Sequence, residues 1–244
     1  MPTQTDEVWK TSAVAGAYLE GVRGAIPLAR EQMDVMLRVL EACGRPVHSF
    51  LDLGCGDGAL AAAVFDRFPA ARGLLADFSE PMLQAAANRF AGKKCAVRTV
   101  NADYGAPSWL AAVAAEAPFD AVVSGYSIHH QPDDRKREVY REIFGVLAPG
   151  GLFVNLEHVS SASPWLESIH DGLFLDHLER FHGGRTRDEV ARTYYNRPDK
   201  AANILAPVET QCEWLREIGF TDVDCYLKIF ELAVFGGRKP SAQP

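Results

Sequence analysis

Between Val47 and Glu157 the chain repeats one alternation: "HSFLDL" then "ALAAAVFDRF", "GLLADF" then "EPMLQAAANRF", "AVRTVN" then "SWLAAVAAEA", "FDAVVSG" then "DDRKREVYREIFGVL", and "GLFVNL" last. Short apolar runs separated by helical segments predict parallel strands, because parallel neighbours need a crossover that is usually a helix. After Glu157 the alternation stops. The helix "QCEWLREIGF" ends at Gly219, and two strand candidates, "DVDCYLKI" and "ELAVFGG", follow with too few residues between them for a crossover. They must pair antiparallel. The expected fold is α/β, a doubly wound seven-stranded sheet of five parallel strands plus a terminal antiparallel hairpin, with its ligand off the carboxyl ends of the strands.

The expected organisation follows. Residues 1–46 form an N-terminal helical segment, in which Met33, Met36, Leu37 and Leu40 make an amphipathic stripe with Pro27 near the first turn. Residues 47–157 and 208–238 form the core, and 158–207 a helical cap inserted after strand five. At 244 residues and 48% hydrophobic the chain is long enough for one substantial domain. Its net charge of −7 argues against non-specific nucleic-acid binding. Five scattered cysteines without a CxxC pair read as reduced thiols. The N-terminus lacks the apolar stretch of a signal peptide, and no apolar run reaches membrane-spanning length, so the expected location is cytoplasmic with no membrane partner.

The stretch "FLDLGCGDGAL" places three glycines between the first strand and its helix, where backbone N–H groups and a helix N-terminus can face a ligand. Gly54, Gly56 and Ala59 satisfy the dinucleotide pattern G-x-G-x-x-[GA], and Asp77 stands about 20 residues on. Asp52 tips the balance, since a carboxylate there repels a pyrophosphate and suits an ammonium. Asp52, Gly54, Gly56 and Gly58 fill the first motif, [DE]-x-G-x-G-x-G, of the class I S-adenosylmethionine-dependent methyltransferases, which this stretch resembles.

The resemblance, strong over residues 48–157 and weaker over 209–238, implies a Rossmann-like fold with S-adenosylmethionine as cofactor and S-adenosylhomocysteine as product. It implies that Asp52, Gly54, Cys55 and Gly56 meet the cofactor at the glycine turn, that Asp77 binds both ribose hydroxyls, and that Phe78 and Met82 flank the adenine. Asp103 falls where the family bonds the adenine amino group, with Tyr104 beside it. "FDAVVSGYSIHH" resembles the fourth motif, which brings Ser124 to the cofactor, and "LAPGGLFV" resembles the turn into strand five.

Methyl transfer from a sulfonium depends on alignment and exclusion of water, with a base where the acceptor must lose a proton. His130 and His129 follow strand four, where such a base belongs, and at most one of the pair faces the methyl. Glu157, His158, His170, Asp171 and His177 suit a metal in type, but no tight ligand motif such as HExxH joins them, so no metal is assigned.

The expected function is methyl transfer to a small organic acceptor. A tRNA or protein methyltransferase, an enzyme of modified S-adenosylmethionine, and a non-catalytic binder of the cofactor are the alternatives. The protein is expected to be a monomer or homodimer. Trp165, Phe174, Phe181, Tyr194 and Tyr195, with Arg185, Arg187 and Arg192, are expected to cover the acceptor. Failing that, the acceptor lies by the N-terminal helix, around Tyr18, Arg23 and Arg30.

Overall fold

The computed structural model describes residues 26–196 and 202–241. The N-terminal segment before Ile26, with Tyr18 and Arg23, lies outside them, as does the stretch 197–201 of the cap insertion. Helix α1 (Ala29–Glu41) precedes β1 (Ser49–Leu53), α2 (Ala59–Arg67), β2 (Arg72–Asp77), α3 (Glu80–Phe90), β3 (Ala96–Asn101), α4 (Trp109–Val113), β4 (Phe119–Gly125), a 3₁₀ turn (Ile128–His130), α5 (Asp133–Val146) and β5 (Leu147–His158). Two further helices, α6 (Pro164–His182) and α7 (Arg187–Tyr195), fall in the insertion, and α8 (Val208–Ile218), β6 (Thr221–Ile229) and β7 (Leu232–Arg238) close the sheet. The strand order is β3-β2-β1-β4-β5-β7-β6, with β7 antiparallel to both β5 and β6. This is the expected seven-stranded, doubly wound arrangement. Its topological switch lies between β1 and β4, and ligands bind off the carboxyl ends at such a switch.

The central strands read as nearly unbroken apolar runs because both faces are covered. Alternation divides them: Phe50 joins Val64, Phe65 and Met36 on one face, while Leu51 and Leu53 join Trp109, Tyr140 and Phe153 on the other. Helix α1 buries Gln32, Met36 and Leu40 along one stripe. Pro27 lies just outside this helix and gives its carbonyl to Gln32 Nε2 at 2.9 Å. Helix α4 is shorter than the alanine-rich stretch predicted, spanning Trp109–Val113.

The hairpin is packed closely against β5. A Cβ on Gly236, whose position pairs with Val154, would lie 2.0 Å from the Phe153 carbonyl oxygen. On Gly145, in α5, the same atom would meet nothing within 4 Å. Gly236→Ala is therefore expected to destabilise the protein by about 3 kcal/mol or more through backbone displacement. Gly145→Ala should stabilise it by about 0.5–1 kcal/mol, as alanine does in an open helical position. Urea unfolding midpoints of the two variants check the pair; equal shifts would mean that β7 does not sit against β5 as described.

Candidate active site

The turn after β1 is tied to β2: the Gly54 and Cys55 N–H groups both donate to the Ala76 carbonyl, at 2.8 and 3.0 Å. Its glycines meet different demands. A Cβ on Gly54 would lie 1.9 Å from Ser127 Oγ, and one on Gly58 would lie 2.9 Å from the Phe90 ring, so both admit close packing. Gly56 faces open space and needs glycine for its φ of 53°. Its N–H donates to Asp77 Oδ2 at 2.8 Å. Asp52 is buried, and its Oδ2 accepts the Ala61 N–H at 3.0 Å, which anchors the first turn of α2. Cys55 is buried beside it.

Asp77, at the end of β2, joins two turns. Besides Gly56 it accepts the Ser79 N–H, on Oδ1 at 2.8 Å. Burial pushes this carboxyl up to about 6, against the opposing pull of hydrogen bonds from the Ser79, Gly56 and Phe78 backbone. Met82 is buried on the first turn of α3, and Phe78 is half-buried. Asp103 Oδ1 accepts the Gly105 N–H at 2.8 Å and closes the turn after β3. Two expected cofactor contacts have structural partners. Tyr104 lies in the core with its hydroxyl hydrogen-bonded to Ser127 Oγ, and Ser124 Oγ donates to the Leu53 carbonyl at 2.7 Å, stitching β4 to β1.

The histidines after β4 have distinct settings. His129 Nδ1 lies 2.5 Å from Glu157 Oε1, and its backbone N–H donates to Oε2 of the same carboxylate at 3.1 Å. Glu157 is fully buried, also accepts from Asn155 Nδ2 and the His158 N–H, and is pushed up by that burial to about 7. Nε2 is the His129 nitrogen that Glu157 does not engage. His130 directs Nδ1 to the Ala202 carbonyl at 3.3 Å, so its ring is committed to the segment entering α8. Tyr126, just before the turn, holds a φ of 54° and donates its hydroxyl to Gln32 Oε1 at 2.5 Å, which fastens α1 to this edge. Between them lies an apolar cleft lined by Met33, Leu60, Gly125, Tyr126 and Leu156.

Glu157 entered the sequence reading only as a possible metal ligand; its pairing with His129 needs the parallel register of β4 on β5, which no local pattern encodes. Asp171 turns to the hydroxyls of Tyr194 and Tyr195, at 3.4 and 3.0 Å. The cap aromatics divide. Phe174 and Tyr194 stack in a satellite core with Leu175, Leu178 and Val190, whereas Trp165, Phe181 and Tyr195 are exposed. Arg187 pairs with Asp176, Arg185 donates to Thr193, and Arg192 donates to the Asp188 carbonyl, so these guanidiniums are engaged within the cap. Arg30 is exposed on α1.

Residues 50–151 match the model of a methyltransferase domain family. An uncharacterised methyltransferase of Mycobacterium tuberculosis is 36% identical over 124 residues, covering 51% of this chain and 54% of that protein. The demethylmenaquinone methyltransferase of Thermus thermophilus is 36% identical over 142 residues, 58% of this chain and 56% of the relative. The chain thus spans little more than half the length of these relatives. An O-methyltransferase family protein from Burkholderia thailandensis superimposes with a TM-score of 0.69 at 18% identity, covering 100% of this chain and 65% of that one, a likeness of fold. The glycine turn and the acid ending β2 fall within the matched segment, with the reversed hairpin beyond it closing the same sheet, and the chain carries over residues 50–151 a domain of the class I S-adenosylmethionine-dependent methyltransferases.

Proposed function

We propose that the protein transfers the methyl group of S-adenosylmethionine to a small organic acceptor, and that α6 and α7 cover the acceptor. One observation carries the reading most: the Asp77 carboxylate bridges the glycine turn to the turn entering α3, beside a Gly56 whose side faces open space. A carboxylate offers about four acceptor positions. The backbone N–H groups of Gly56, Ser79 and Phe78 take up part of that capacity, and the remainder suits a ribose hydroxyl. Phe78 and Met82 follow it at the adenine side, and Asp103 lies on the next loop. Because Asp52 already anchors α2, its support for a cofactor ammonium is the field of a buried charge. The cofactor supplies an electrophilic methyl group on a sulfonium.

The chain's own contribution is alignment, dryness and a base. Of the two histidines His129 is the better placed, because Glu157 fixes its ring through Nδ1 and stabilises the imidazolium formed when Nε2 takes a proton. His129 and Glu157 form a buried pair joined through both the ring and the backbone N–H of the histidine. The net charge of −7 disfavours RNA as the acceptor. Transfer of a labelled methyl group to a panel of small hydroxylated and amino acceptors tests the proposal; binding of the cofactor without transfer to any of them would favour the non-catalytic reading.

With Asp77 titrating at about 6, cofactor affinity is expected to fall as pH drops through that value, because the protonated carboxyl accepts the ribose hydroxyls less well. Asp77→Asn should bind weakly, by about 1.5–3 kcal/mol for each charge-assisted bond weakened, and show no such pH step. Calorimetry across the pH range reads both; an unchanged step in the variant would assign the titration to another group.

His129→Asn is expected to lower turnover by about 10²–10⁴-fold on an acceptor that must lose a proton, with cofactor affinity unchanged. His130→Asn should cost much less, as that ring serves Ala202. Kinetics of the two variants side by side decide the assignment: the reverse order of losses would transfer the base role to His130.

A further inference from the structure

Where the sequence shows no ligand motif, the fold assembles one. His158 ends β5, Glu231 lies between β6 and β7, and His170 projects from α6, three elements far apart in the chain. Their ligand atoms all lie within 4.8 Å of one another. His158 Nε2 is 2.9 Å from Glu231 Oε2, and His170 Nε2 is 3.7 Å from the same oxygen. Donor atoms around a tetrahedral ion with bonds of about 2 Å stand roughly 3.3 Å apart, so small side-chain rotations suffice to place all three on one ion. The side chains of His170 and Glu231 are 1% and 6% exposed, and that of His158 is 17% exposed.

We propose that His158, His170 and Glu231 bind one zinc ion. Two imidazoles and a carboxylate suit a borderline divalent ion better than magnesium or calcium, which prefer oxygen donors throughout. The scaffold is firm: the Val159 N–H donates to the Glu231 carbonyl at 2.8 Å, and His158 pairs with Leu232 across the β5–β7 ladder. An outer partner stands ready as well. The Asn203 side-chain amide lies 3.3 Å from His158 Nδ1, and turning it over presents its oxygen to an Nδ1–H, which leaves Nε2 unprotonated for the metal.

Three protein ligands leave a fourth position of the ion open, the pattern of reactive rather than purely structural zinc. The His158 ring centroid is 5.7 Å from that of His129, so the ion sits next to the proposed base, between the sheet and the cap. There it would hold α6 on the sheet and offer a Lewis-acidic position to an oxygen-bearing acceptor. Zinc binding stands apart from the methyl-transfer reading, because its ligands exclude Asp77, His129 and Glu157, whereas a Lewis-acid role toward the acceptor rests on that reading.

Equilibrium dialysis of the metal-stripped full chain against zinc alone, and absorption spectra with cobalt(II) as a visible substitute, test the proposal. The expected result is one ion per chain with cobalt bands of a mixed nitrogen–oxygen site. His170→Ala and Glu231→Gln should each weaken binding by at least about 100-fold, and Asn203→Ala by about 10–100-fold, with circular dichroism unchanged. Should His170→Ala not fold, Glu231→Gln and Asn203→Ala carry the comparison. No stoichiometric zinc in the wild type, or zinc retained at full affinity in the folded ligand variants, would overturn it.

Discussion

The Asp77 carboxylate is the interaction on which the carboxyl edge depends. Buried at the end of β2, it binds the Gly56 N–H of one turn and the Ser79 N–H of the next, and so sets the separation of the two loops that flank a ligand. An ionised carboxylate there is costly, as its rise to about 6 records, and a ligand that donates hydroxyl hydrogen bonds lowers that cost. The same logic explains the surrounding glycines. Close approach of Ser127 and Phe90 to the turn, at Gly54 and Gly58, leaves the Gly56 side as its open face.

A second buried carboxylate organises the other half. Glu157 gathers His129 by ring and backbone, with Asn155 and the His158 N–H as further donors. In the proposed function, two acids on strands at opposite sides of the switch point would hold two classes of chemistry apart: hydroxyl recognition at β2 and proton handling at β4 and β5. Helix α1 and the cap approach this second half from different directions, α1 through the Gln32–Tyr126 bond and the cap through His170 beside Glu231.

Much of the fold was legible because it rests on local pattern. Apolar strands covered on both faces, glycine turns and a short link between the last two strands suffice to predict β1 through β7. The first-motif residues were legible for the same reason, being contiguous. What escaped the sequence depends on register and on distant contacts. Tyr104 and Ser124 stand in positions that the family resemblance assigns to the cofactor, yet hydrogen bonds to Ser127 and Leu53 engage their hydroxyls. Asp52 shows how a single charge can satisfy two readings: placed where a ligand ammonium is expected, it takes up the Ala61 N–H. The aromatics of the insertion read as one wall, whereas the α6–α7 packing turns Phe174 and Tyr194 inward and leaves Trp165 outside. Glu231 carried no signal at all, since only the hairpin brings it to His158.

The central claim is that the pocket built on Asp77 and the glycine turn accepts S-adenosylmethionine and its product rather than a dinucleotide. Calorimetric titration of the wild-type protein with S-adenosylhomocysteine and, separately, with NAD tests it most directly. The account predicts saturable one-to-one binding of S-adenosylhomocysteine and no heat of binding from NAD. Saturable NAD binding with no response to S-adenosylhomocysteine would contradict it.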